Sequence, residues 1–126
     1  MGFLDNLRKS KEAGIHQDWK VLDSVEQLEK IMEAAGEKPI VFFKHSTTCG
    51  ISAMAKNKLE SAWDFNTDDM DFYYLDLLSH RPVSNKIAEL LRVVHQSPQI
   101  IVVKNGQVVF HNSHHAIGVD SLKDGL

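Results

Sequence analysis

One cysteine, Cys49, is all the chain has among 126 residues, so no internal disulfide framework can form. A lone thiol suits a compartment that keeps thiols reduced, and the cytoplasm is the expected location. No apolar run approaches the length of a bilayer span, and nothing at the start resembles a secretory signal. Met1-Gly2 invites a myristoylation reading, but Asn6 stands where that motif needs Ser or Thr. Charge of one sign is also lacking. The net value of −3 gives no general attraction to nucleic acid or to an anionic membrane, and neither is expected as a partner. Internal repeats and low-complexity segments are absent. What remains is a globular composition, 43% hydrophobic and 25% charged, long enough for one domain with a real core.

The pattern along the chain alternates strands and helices. Residues 1–18 are polar and mixed in charge and read as an N-terminal extension, with Phe3, Leu4 and Leu7 able to form a short amphipathic turn. The domain is expected over residues 19–126. Trp19-Lys20-Val21-Leu22 reads as a short strand. Ser24 with Gln27 forms a capping-box pattern ahead of Val25, Leu28, Ile31, Met32 and Ala35 at helical spacing, and Gly36 stops that helix. Pro39 leads into Ile40-Val41-Phe42-Phe43, a run that reads as a strand buried on both faces. A helix is expected from Cys49 to about Phe65. Asp71–Leu77 reads as a strand. Arg81-Pro82 reads as a break, with Ser84 capping a helix that carries Ile87, Leu90, Leu91 and Val94. Ile100–Val103 is the next strand. Asn105-Gly106 signals a two-residue hairpin, because both positions need positive φ, and Gln107–Phe110 returns. A last short helix is expected from Val119, with Leu122 and Leu126 facing inward. The order predicts an α/β fold: a mixed central sheet, helices on both faces, and a C-terminal β-hairpin.

Cys49 lies in His45-Ser46-Thr47-Thr48-Cys49-Gly50-Ile51-Ser52, between the buried strand and its helix. A lone cysteine is most often a small buried hydrophobe. Here the approach is rich in hydroxyls, and the helix start offers unpaired N–H groups and the positive end of the helix dipole. Both favour the thiolate, the nucleophilic form. Ser52 stands where C-x-x-C redox helices carry their second cysteine. A C-x-x-S site can attack a disulfide but cannot resolve the mixed disulfide internally. His45 is a candidate thiolate stabiliser or a simple strand end. Ser97-Pro98, directly before an apolar strand, reads as a loop terminator or a cis turn. His111, His114 and His115 cluster after the hairpin, but the segment does not read as helical and no metal site is expected. The charges of Lys56, Lys58 and Glu60 read as a solvated helix face.

With the thiol after the second strand, this order fits a thioredoxin-like fold. The chain further resembles the monothiol bacilliredoxins of the YtxJ type in four segments: His45-Ser46-Thr47-Thr48-Cys49 with Ile51-Ser52; Arg81-Pro82 with Ser84-Asn85; His95 with Ser97-Pro98-Gln99; and Asn105-Gly106 with His111, Ser113 and His114. The resemblance implies redox homeostasis by thiol–disulfide exchange. Cys49 would attack a protein–bacillithiol mixed disulfide, and Pro98 would be a cis-proline beside it. Thr48, Gly50, Ile51, Ser52, Ser97 and Pro98 are the expected substrate contacts. S-thiolated client proteins and a small thiol, bacillithiol or glutathione, are the expected partners, with no tightly bound cofactor. Gly50 departs from the family pattern, which has Pro there.

Two alternatives stay open. Cys49-Gly50-x-Ser52 also resembles monothiol glutaredoxins, which use glutathione and can hold an iron–sulfur cluster between subunits. A binding module that keeps the fold without redox chemistry is the other.

Overall fold

The computed structural model describes residues 14–126. The amphipathic turn expected around Phe3, Leu4 and Leu7 lies outside them. Residues 14–18, read from sequence as part of the extension, pack onto the domain: Ile15 is buried in the core, and the His16 ring sits 5.5 Å from Trp63.

Nine regular elements follow in the order expected. They are β1 (Lys20–Val21), α1 (Val25–Glu33), β2 (Ile40–His45), α2 (Gly50–Ala62), β3 (Asp71–Asp76), α3 (Arg81–Leu91), β4 (Gln99–Lys104), β5 (Gln107–Ser113) and α4 (Val119–Gly125), with a 3-10 turn at His114–Ala116 before α4. The five strands form one sheet in the order β1-β3-β2-β4-β5. β3 runs parallel to β1 and β2, whereas β4 is antiparallel to both β2 and β5.

Strand alternation splits the core into two layers. Val41, Phe43, Phe72, Tyr74, Ile100 and Val102 point to one face and meet Ala55 and Leu59 of α2 and Leu122 of α4. Ile40, Phe42, Leu75, Ile101 and Val103 point to the other and meet Leu28 of α1 and Ile87 of α3. All six residues of β2 are buried, as a strand covered on both faces must be.

Local chemistry explains the element ends. The Ser24 hydroxyl accepts from the Gln27 N–H at 3.1 Å, and the Gln27 carboxamide oxygen accepts from the Asp23 N–H at 2.9 Å, so the reciprocal arm of the capping box reaches one residue further back. Asn105 and Gly106 have φ of 53° and 77°, the positive pair that a tight hairpin requires.

Three expectations need correction. Ser84 does not cap α3. That helix starts at Arg81 behind His80, with Pro82 in its first turn, where a missing N–H costs nothing. Ser84 is instead buried in the helix. The α2 helix ends at Ala62, because Trp63 turns extended at ψ 116° to bury its ring against Phe65 and Phe72. And β5 runs past Phe110 to Ser113, paired along β4.

Candidate active site

The sheet brings two distant segments to one end of the molecule. In the β2–β4 ladder Lys44 pairs with Gln99. Continuing that antiparallel register by one and two residues sets His45 opposite Pro98 and Ser46 opposite Ser97. The turn leading to Cys49 and the loop ending in Pro98 are therefore neighbours. The Ser97–Pro98 peptide bond is cis, and the Pro98 carbonyl accepts from the His114 N–H at 3.1 Å. Ser97 Oγ is buried and has no hydrogen-bond partner among the described residues.

Cys49 is the N-cap of α2, extended at φ −105° and ψ 123°, and partly exposed. Its N–H donates to the Ser46 carbonyl at 3.2 Å, and its carbonyl accepts from the Ala53 N–H at 3.0 Å. The neutral sulfur makes no capping hydrogen bond. Ionisation is favoured all the same: the Ser52 N–H lowers the thiol pKa most, desolvation opposes it, and the Ile51 N–H and the Ser52 hydroxyl add to the lowering, so the thiol stays below its usual range. These are the free N–H groups of the first helical turn.

Ser52 has a second task. It is fully buried, and its hydroxyl oxygen accepts from the Ser46 N–H at 3.2 Å, closing the turn across the cysteine. Thr48 is exposed, its hydroxyl 3.4 Å from that of Ser46. Gly50 and Ile51 are exposed beside the sulfur, and a side chain added at Gly50 would enter open space.

His45 is not the thiolate's charge partner. Its ring turns into the core, where Nδ1 lies 3.1 Å from the Tyr74 hydroxyl, and burial keeps it neutral by lowering its pKa. Of the histidines after the hairpin, His114 meets the Pro98 carbonyl through its backbone N–H, while its ring Nδ1 lies 3.0 Å from the Ser113 hydroxyl. Among the described residues no three His, Cys, Asp or Glu side chains gather as metal ligands would. No described helix is long and apolar enough to cross a membrane.

Sequence reading missed one cluster near this end of the sheet. Lys44 is fully buried. Its ammonium donates to the Ser84 carbonyl at 3.1 Å and lies 3.2 Å from His95 Nδ1. The available signal was a lysine closing an otherwise apolar strand, which sequence alone cannot tell from an exposed strand end.

The pattern of the family described as monothiol bacilliredoxin BrxC matches residues 20–122, from β1 to α4 and across every segment just described. The chain belongs to the monothiol bacilliredoxin family. This bacilliredoxin superimposes on a solved protein with a thioredoxin fold, provisionally described as an oxidoreductase, with a TM-score of 0.71 and 37% identity over 83% of this chain and 90% of that one. It also matches thioredoxin from Trypanosoma brucei brucei (TM-score 0.66, 23% identity, 84% and 88% covered) and thioredoxin from Malassezia sympodialis (0.64, 21%, 82% and 84%). Those two likenesses concern the fold alone. The bacilliredoxin thus has a thioredoxin-like α/β fold, and its family and fold place it among the thiol oxidoreductases.

Proposed function

We propose that the protein removes a low-molecular-weight thiol, bacillithiol or glutathione, from mixed disulfides on client proteins, with Cys49 as the nucleophile. The observation that carries this reading is a partly exposed sole cysteine capping α2, its thiolate favoured by the N–H groups of Ser52 and Ile51. The Cys49 thiolate attacks the small-thiol sulfur of the mixed disulfide. That S–S bond breaks, the client leaves as a thiolate and takes up a proton, and a new disulfide joins Cys49 to the small thiol. A second small-thiol thiolate then attacks that disulfide, releasing the Cys49 thiolate and a free small-molecule disulfide. Both steps exchange one S–S bond for another, so no outside oxidant is required. Under this reading the exposed Thr48, Gly50 and Ile51, with the Ser97-Pro98 loop at the same end of the sheet, would contact the incoming disulfide. A cytoplasmic site of action fits chemistry that consumes reduced thiols.

The test is to offer one reporter protein carrying either bacillithiol or glutathione and to follow its release. Wild-type protein should free the reporter, and Cys49→Ser should not. Release by the serine variant would overturn the mechanism. Release from only one reporter would name the thiol.

A further inference from the structure

Lys44 and Gln99, Cα partners across β2 and β4, are 0% and 1% exposed and lie on the α1/α3 side of the sheet. Both reach the chain that runs into Ser97-Pro98. The Gln99 carboxamide NH2 donates to the Val94 carbonyl at 3.0 Å, and its oxygen lies 3.4 Å from the Gln96 N–H. The Lys44 ammonium meets His95 Nδ1 at 3.2 Å and the Ser84 carbonyl at 3.1 Å. An ammonium can only donate. His95 Nδ1 must therefore be an acceptor, and the neutral ring carries its proton on Nε2. Among the described residues no carboxylate pairs with Lys44.

The groups facing His95 are all cationic or neutral: Lys44 from β2, and Arg81 with the Ser84 hydroxyl (3.4 Å) from α3. A proton on His95 would turn its acceptor into a donor and set its charge against the buried Lys44 ammonium. Lys44 and Ser84 are buried, whereas His95 is exposed, so the proton has a path from solvent.

We propose that Lys44 is a positioning residue for thiol exchange, acting through His95: it holds the neutral imidazole, and with it the segment that presents Ser97 and Pro98 beside Cys49, and a proton on His95 releases that hold. Desolvation and the Lys44 charge lower the His95 pKa, which keeps the hold in place at neutral pH and sets its loss on the acid side. The inference rests on the reading of Cys49 as the exchange nucleophile.

The experiment compares two rates across about pH 5 to about pH 7.5. One is release of a glutathionylated reporter protein. The other is alkylation of Cys49 by iodoacetamide, which reports the thiolate without needing the held segment. Their ratio cancels the titration of Cys49 itself. In wild type the ratio should fall by up to about tenfold per pH unit once His95 binds its proton. In His95→Asn, which keeps an acceptor but takes no proton, the ratio should be flat. In Lys44→Met it should be low and flat. Hydrogen exchange of the Gln96 amide, corrected for its intrinsic pH dependence, should show the same opening in wild type and not in His95→Asn.

A flat wild-type ratio with intact, Cys49-dependent release overturns the hold and leaves the exchange reading standing. An unchanged inflection in His95→Asn does the same. Release that does not need Cys49 overturns the exchange reading, and the positioning role falls with it. The exposed His95 site keeps the test decisive even if Lys44→Met fails to fold.

Discussion

Lys44 and Gln99 lie side by side across β2 and β4, both sealed from water, and neither meets a carboxylate among the described residues. A buried ammonium with only neutral partners is an expensive arrangement. Its hydrogen bonds to the Ser84 carbonyl and to His95 offset part of the desolvation, and burial pulls the Lys44 pKa from the usual 10.5 to about 8.

That shift has a sign. Between the two values the unfolded chain binds more protons, so stability rises with pH across the window and is lost as pH falls back to about 8. Unfolding in urea should show a gain of about 2–3 kcal/mol between about pH 8 and about pH 10. Above that the half-buried Tyr73 and the buried Tyr74, each pushed up to about 12, reverse the trend. Lys44→Met should flatten the rise, and a profile that keeps it would remove Lys44 as the cause.

On the acid side the buried His45 acts in the same direction. Burial first, then the Lys56 charge, lowers its pKa, while Asp76 and Glu60 oppose. Unfolded His45 takes its proton near the usual 6.5 and folded His45 only below it. Stability should therefore decline as pH falls through and below about 6.5. The check is thermal unfolding of wild type against His45→Phe, whose loss over that range should be smaller.

Ser52→Ala separates the two tasks of that side chain. The Ser46 N–H loses its buried acceptor, which should cost about 1–3 kcal/mol by denaturant unfolding. The Cys49 alkylation inflection should move up but stay below that of an unfolded control, because the Ser52 N–H, the largest stabilising contact, is backbone and remains. An inflection equal to the control would show that the hydroxyl is the main stabiliser.

Gly50→Pro should be tolerated and stabilising by about 0.4–1 kcal/mol. The position is the first of α2, its Cβ would meet nothing within 4 Å, and Cys49 already has the extended φ and ψ that precede proline. The alkylation profile of Cys49 should not move, since the N–H groups that favour the thiolate belong to Ser52 and Ile51. A raised inflection would show that the Gly50 N–H contributes after all.

Gly125→Ala should do the opposite, destabilising by about 1–3 kcal/mol. Its Cβ would run into the Phe110 ring, which packs against the core over the end of α4. Gly125→Ala combined with Phe110→Leu should recover part of the loss in the same denaturant titration.

The strand–turn–helix around Cys49 was legible because an apolar run and a helical repeat meet at one polar turn, and the Asn105-Gly106 hairpin because few residue pairs accept positive φ twice. Ser84 misled because serine favours caps in general, whereas here Pro82 had already opened the helix. Lys44, Gln99 and His95 were illegible for a different reason. Their meaning lies in a cross-strand register and a loop path that bring residues 44, 95 and 99 together, and no local pattern encodes a partner 51 residues away.

Ser52 fills the spot from which a second sulfur would strike, and it is locked there by the Ser46 N–H. Under the proposed chemistry the half-finished protein has no way to complete the cycle alone. It must wait, disulfide-linked to its passenger, for a free thiol to arrive by diffusion. The lifetime of that waiting form is then set by the concentration of reduced thiol around it. The fraction of molecules found loaded would read out the supply, as a gauge does, with no dedicated sensor domain.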